Sequence, residues 1–426
     1  MFALHKVRIS PRKLSGNVSV PPSKSDAHRA IICASLAKGE SVVGPVEMSE
    51  DIKATISCMK NLGAKIEADG RTLHIDGRDT FGVKSAQLDC SESGSTLRFL
   101  IPVAAAGGVE AEFTGHGKLP GRPIGVYTDQ LPVKGVRCET SGGLPLRITG
   151  KLSSGVFEIP GNISSQFITG LLLALPLAEG DSEIRLTSGL QSVGYVNMTL
   201  KAMRDFGVAV ESTENGWRIK GGQEYVPGSY EVEGDWSQAA FFMTAAALGS
   251  EITIDNLSLD SIQGDKECVD IYRRLGAVIE EKNGILKMSP GKLRGISLDA
   301  SDIPDMVPAF AAAAAVAEGK TVITGAERLR IKESDRLKAV RDCLSRMGAD
   351  ISETPDGLII NGKERLSGGF VEGYNDHRIV MSMAAAAVAC ENDVVITDME
   401  SVRKSYPSFF EDYRKLGGAA DVIMGE

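Results

Sequence analysis

The sequence predicts an α/β (α+β) protein of two domains, each built from three β-α-β-α-β-β repeats around buried helices. Three observations lead there. A helix stop of the form apolar-Gly-small, followed by a strand, recurs at Gly63, Gly135, Gly207, Gly276, Gly348 and Gly417, at spacings of 72, 72, 69, 72 and 69 residues. Six segments rich in Ala or Leu and apolar nearly all round fall once per repeat. Turn dipeptides containing Gly follow the stops between strand-like runs. Length alone, 426 residues at roughly 150 per domain, suggests about three domains. The repeat arithmetic replaces that with six units arranged as two domains.

Each unit opens with a short strand and a polar cluster. The apolar segments come next: DAHRAIICASLA, STLRFLIPVAAA, SQFITGLLLALPLA, WSQAAFFMTAAAL, MVPAFAAAAAVA and HRIVMSMAAAAVA. A helix apolar on every face is a buried helix. A strand and a loop lead to an amphipathic helix, with Ile52, Thr55, Ile56, Met59 and Leu62 on its inner face in the first unit. Val196, Thr199, Leu200, Met203 and Phe206 repeat that spacing in the third. Glycine ends the helix because it enters the left-handed region without a Cβ penalty. A hairpin closes the unit, signalled by Asp69-Gly70, Gly142-Gly143, Asn215-Gly216, Asn283-Gly284 and Asp356-Gly357.

The sixth unit stops at Ile423-Met424, one strand short, while HKVRISP near the N-terminus resembles ILKMSP of the fourth and has no partner of its own. The N-terminal strand is therefore expected to complete the sixth unit. One domain then holds residues 1–20 and 231–426, the other 21–230, with a hinge at the two crossovers. The alternative is a single six-fold ring or solenoid without a hinge.

Composition excludes several function classes. The 42% hydrophobic and 24% charged residues are ordinary for a globular chain. A net charge of −9 argues against nucleic acid or an anionic membrane as partner. The longest apolar run, Met306 to Ala317, is too short to span a bilayer. Leu4 to Ser10 reads as a strand rather than part of a signal peptide. Seven scattered cysteines without a C-x-x-C pair suit a reduced, cytoplasmic setting. The five histidines lack metal-ligand spacing, so no metal is expected. No P-loop, G-x-G-x-x-G after a strand or G-x-S-x-G elbow occurs.

The starts of the buried helices carry the chemistry. They offer Ser23-Lys24-Ser25 with Arg29, Ser93-Gly94-Ser95 with Arg98, Ser164-Ser165-Gln166, Asp235 with Ser237, Asp302 with Asp305, and Asn375-Asp376-His377-Arg378. Helix N-termini present unpaired N–H donors and favour anions. Ser237 and Asp376 are read as plain N-caps. Lys24, Arg29, Arg98 and Arg378 are not caps, because cations there oppose the helix dipole unless an anionic ligand neutralises them. Nearby loops add Arg122, Lys332, Arg336, Arg403 and Lys404. Arginine grips carboxylate and phosphate bidentately, so the substrates are expected to be small and multiply anionic. Asp305 and Glu333 are the candidates for proton transfer.

The motifs PPSKSDAHRA, SGSTLRFL, LPGRPIG, ISSQFITGLL, GDWSQAAFF, IPDMVPA, IKESDRL, YNDHRIVM and RKSYPSFF occur in this order over essentially the whole chain. In them the chain resembles the 5-enolpyruvylshikimate-3-phosphate synthase family of enolpyruvyl transferases. The resemblance implies a two-domain inverse α/β barrel-like fold that closes on its substrates. It implies transfer of the enolpyruvyl group of phosphoenolpyruvate to shikimate 3-phosphate, with release of phosphate and no metal or organic cofactor. Lys24, Ser25, Arg29, Ser164, Ser165, Gln166, Ser192 and Tyr195 match positions that hold shikimate 3-phosphate, and Asp305 and Lys332 would contact its ring hydroxyls. Lys24, Gly94, Arg122, Gln166, Arg336, Arg378 and Lys404 match the phosphoenolpyruvate site. Asp305 would be the base toward the hydroxyl, with Glu333 and Lys24 handling the second proton.

Some positions depart from the family pattern. Glu92 stands where many members have Asn, Phe99 where many have Pro, and Arg328 where some have an Asn on the shikimate phosphate. These bear on inhibitor sensitivity and affinity rather than on reaction class. The sister enzyme acting on UDP-N-acetylglucosamine usually carries a reactive Cys before its R-P motif, and GHGKLPGRPIG has none. A non-catalytic anion-binding repeat protein would need no placed carboxylates. A monomer is expected, since the repeats use every apolar stripe.

Overall fold

The computed structural model describes residues 5–282 and 284–423; Leu4, Asn283 and Met424, which entered the strand and hairpin readings, lie outside them. The chain forms two compact units. The discontinuous unit is Met1–Pro21 with Glu233–Glu426, and the continuous unit is Pro22–Val232.

The continuous unit contains α1 (Lys24–Leu36), α2 (Glu50–Asn61), α3 (Gly94–Gly107), α4 (Gly125–Gln130), α5 (Ser165–Ala174) and α6 (Val193–Asp205). The discontinuous unit contains α7 (Trp236–Ala247), α8 (Cys268–Leu275), α9 (Val307–Ala314), α10 (Arg336–Arg346), α11 (His377–Ala386) and α12 (Phe409–Lys415). The odd-numbered helices are the buried ones. Every residue of α7, α9 and α11 is buried, including Trp236, Phe310 and Met381, as all-round apolarity requires. Each unit thus has its own core: α1, α3 and α5 in one, α7, α9 and α11 in the other.

Six four-stranded sheets share one topology. In the second repeat, Ser85–Asp89 pairs parallel with Glu110–Thr114. The latter pairs antiparallel with Leu146–Gly150, which pairs antiparallel with Val136–Glu139. The same order holds in the other five. The six stop glycines all have positive φ, between +80° and +110°, where a Cβ would be strained. In the sixth sheet Lys6–Ser10 lies between Val394–Ile396 and Ala419–Ile423, antiparallel to both.

Two features depart from the sequence pattern. The strand ahead of α1, Ser15–Ser19, pairs parallel with Glu251–Asp255 in the discontinuous unit, while Ser229–Glu231, ahead of α7, pairs parallel with Glu40–Gly44 in the continuous one. The first and fourth repeats therefore exchange their opening strands. Side-chain burial fixes the exchange: Val18 enters the discontinuous core, and Tyr230 stacks on Phe206 at 5.9 Å and donates its hydroxyl to Asp26 at 2.7 Å. The second departure is at α7, whose N-cap is Asp235, accepting from Gln238 N at 3.0 Å. Ser237, read as a cap, lies one residue inside the helix, buried.

Candidate active site

In the continuous unit, the starts of α1, α3 and α5 are each closed by a serine: Ser23, Ser93 and Ser164 accept from backbone N–H groups two or three residues on. With the caps satisfied by serines, the cations beside them serve another purpose. Lys24, the first residue of α1, pairs with Asp51 of α2 at 2.7 Å. Arg98 stacks over Phe167 at 4.9 Å and donates to Gln166 Oε1 at 2.7 Å, while Gln166 Nε2 donates to Ser95 Oγ at 2.9 Å. Arg122 lies against Gly94 so closely that a Cβ there would sit 2.8 Å from its Nη1. Ser165 is buried in the first turn of α5, and Ser192, at φ +58°, precedes α6.

Arg29 is the most telling of these residues. It is buried, its guanidinium lies over the Phe99 ring at 5.2 Å, and it donates to Thr199 Oγ1 at 2.8 Å and to the carbonyls of Ser25 and Tyr195. No carboxylate pairs with it directly among the described residues. Burial lowers its pKa to about 10, partly offset by Asp26, so it remains a cation at neutral pH. A buried charge without a direct counter-ion is costly unless a ligand supplies one.

His28, beside it, is buried and neutral. Burial, then Lys24 and Arg29, push its pKa well below the ordinary histidine value. Its Nδ1 meets Thr55 Oγ1 at 2.7 Å, and Nε2 has no partner among the described residues. The unfolded chain takes up a proton near pH 6.5 that the folded one refuses. Stability is thus complete above that pH and falls as pH drops through it, by up to about 1.4 kcal/mol per unit. Urea midpoints measured from pH 7 to 5 should fall in the wild type and fall less in His28→Gln.

In the discontinuous unit a second cluster gathers around Arg336, the buried first residue of α10. Its Nη1 reaches Asp305 at 2.7 Å, Nη2 reaches Glu333 at 2.7 Å, and Nε reaches Asp376 at 2.8 Å. Burial opposes its charge, but Asp376, Glu333 and Asp305 outweigh that and hold its pKa above the usual range. Asp305 sits in the single turn leading into α9, 3.4 Å from Lys332 and 3.6 Å from Arg378. Burial would raise its pKa, but Lys332, Arg378 and Arg336 hold it well below the usual carboxylate range. Lys404 donates to Asn375 O at 2.7 Å; its neighbour Arg403, grouped with it by sequence, is exposed.

Sequence reasoning missed two carboxylates. Asp51, in the first turn of α2, belongs to none of the motifs singled out above, and Asp376 reads as a cap alone. Asp376 is a cap, accepting from Arg378 N at 3.0 Å, but it also holds Arg336 and accepts Ser334 Oγ at 2.9 Å. The signal was present: IKESDR and NDHR bring opposite charges to adjacent helix starts. Among the described residues no group of three His, Cys, Asp or Glu side chains is placed to hold a metal, and no helix is long and apolar enough to cross a membrane.

Buried arginines and the partly buried Lys24 near capped helix starts, on two sets of three repeats, define a protein class that handles small, multiply charged anions. Residues 9–413 match the family model described as EPSP synthase (3-phosphoshikimate 1-carboxyvinyltransferase). The chain belongs to the EPSP synthase family. It is 49% identical over 417 residues to a 3-phosphoshikimate 1-carboxyvinyltransferase of Clostridium kluyveri, covering 97% of this chain and 98% of that protein. It is 46% identical over 429 residues to the same-named protein of Clostridium novyi, covering 98% and 99%. A solved structure of EPSP synthase from Acinetobacter baumannii matches with a TM-score of 0.83 at 29% identity, covering 98% of this chain and all of that one.

Proposed function

We infer that this chain transfers the enolpyruvyl group of phosphoenolpyruvate to the 5-hydroxyl of shikimate 3-phosphate, releasing inorganic phosphate, on the route to chorismate and the aromatic amino acids. The single observation that carries this reading is Arg29, a buried guanidinium with no direct carboxylate partner among the described residues. It suits the phosphorylated, carboxylated acceptor, together with Lys24, Ser25, Ser164, Ser165, Gln166, Ser192 and Tyr195. Lys24, Gly94, Arg122, Gln166, Arg336, Arg378 and Lys404 hold phosphoenolpyruvate. The absence of a side chain at Gly94 leaves the Arg122 guanidinium clear.

The chemistry is an addition followed by an elimination. Asp305 takes the proton of the 5-hydroxyl as its oxygen bonds to C2 of phosphoenolpyruvate, and a proton is delivered to the methylene carbon. The tetrahedral phosphoketal then loses phosphate as a methyl proton is taken back. Lys24 and Glu333 handle that second proton, and the arginines stabilise carboxylate and phosphate charge. Lys332, Arg378 and Arg336 together make Asp305 a weaker base than an ordinary carboxylate. An anion engaging Arg336 and Arg378 draws their charge away and raises its basicity, so base strength follows donor binding.

The protein acts as a cytoplasmic monomer, in keeping with its free cysteines. Purified protein should release phosphate from phosphoenolpyruvate only when shikimate 3-phosphate is added. Release with UDP-N-acetylglucosamine instead would assign the sister reaction, and tight anion binding without turnover would leave an anion-binding scaffold.

A further inference from the structure

We propose that Thr199, braced by Thr169, is a positioning residue that fixes Arg29 for the phosphorylated acceptor; this rests on the function proposed above. Thr199 lies in α6 and Thr169 in α5, both fully buried. Threonine is a modest helix former, and neither hydroxyl is left to water. Thr199 Oγ1 receives Arg29 Nε–H at 2.8 Å, meets Thr169 Oγ1 at 2.9 Å and lies 3.1 Å from Tyr195 O. A hydroxyl has one hydrogen and two lone pairs. Accepting from Arg29 and Thr169 while donating to Tyr195 O uses all three.

Tyr195 O also receives Arg29 Nη2 at 2.9 Å. The Nε–Nη2 edge of the guanidinium is therefore clamped to one turn of α6, and its face rests on Phe99. One hydrogen on each terminal nitrogen is left for an anion. Two repeats earlier, Thr55 occupies the matching position of α2 and does the same for His28, meeting its Nδ1 at 2.7 Å and Thr96 Oγ1 at 2.7 Å. The device recurs with the repeat, which argues that it is built rather than incidental.

Thr199→Val keeps shape and removes the acceptor, so Arg29 Nε–H has no fixed partner. Steady-state kinetics should show KM for shikimate 3-phosphate raised about tenfold, equivalent to about 1.4 kcal/mol. Both kcat and KM for phosphoenolpyruvate should stay within about twofold. Thr199→Ser should restore the acceptor KM to within about twofold, which a purely packing role would not do. An unchanged KM in Thr199→Val, or a Ser variant as weak as Val, overturns the proposal. Should Thr199→Val not fold, Thr169→Val decides: a rise of about threefold is expected, and none overturns it. An active wild type with an unmoved Thr199→Val sinks this inference alone. A wild type that releases no phosphate with shikimate 3-phosphate sinks the parent reading and this one with it.

Discussion

Replacing Lys24 with methionine should lower kcat/KM at least a thousandfold, about 4 kcal/mol of transition-state stabilisation, while leaving the protein folded. Lys24 begins a buried helix whose cap is already filled by Ser23, so its charge does nothing for the helix and opposes the dipole. Its ammonium meets Asp51 of α2 at 2.7 Å, and both side chains retain some solvent contact. A partly hydrated pair of this kind contributes little to stability. The urea midpoint should therefore move by less than the equivalent of about 1 kcal/mol. Turnover within tenfold of wild type would remove Lys24 from the proton-handling pair.

The second large effect is on the fold as well as on catalysis. Arg336→Met should destabilise the protein by about 3–5 kcal/mol, because it takes the guanidinium away from the fully buried Asp376 and from Asp305 and Glu333, each of which it meets at 2.7–2.8 Å. Arg336→Lys should recover less than half of that loss, since one ammonium cannot reproduce three guanidinium contacts aimed in different directions. Urea unfolding at pH 7 measures both. A loss under about 1 kcal/mol for the methionine variant would show that Lys332 and Arg378 suffice for the acidic cluster. Phosphate release should be lost in either variant, because Arg336 belongs to the donor site proposed above.

The fold was largely legible in the sequence because the repeat writes the same physics six times. An apolar helix, a Gly at positive φ and a hairpin turn are local features, and local features print directly into sequence. The exchange of Ser15–Ser19 and Ser229–Glu231 was not legible. Which sheet a strand joins depends on partners more than 180 residues away in one case and in the other. The candidate site divides in the same way. Cations at helix starts stand out because they violate a local rule, which exposed Lys24, Arg29, Arg98 and Arg378. Asp51, Asp376 and Thr199 obey local rules, as first-turn acid, cap and amphipathic-face residue, and their second role lies in tertiary neighbours. Arg403 and Lys404 illustrate the limit: adjacent in sequence, one is exposed and the other buried.

The placement of Lys6–Ser10 has a consequence for how the protein is made. This strand is translated long before both of its neighbours, Val394–Ile396 and Ala419–Ile423, which follow roughly 385 and 410 residues later. At about 5–20 residues per second, it waits roughly 20–80 s with its edges unpaired. The continuous unit emerges during that interval and needs only Ser229–Glu231 to finish its first sheet. All of the continuous unit is therefore translated before the discontinuous unit can close its last sheet. The nascent chain spends its longest exposed period on a five-residue strand that carries Lys6 and Arg8, charges that discourage pairing with other chains.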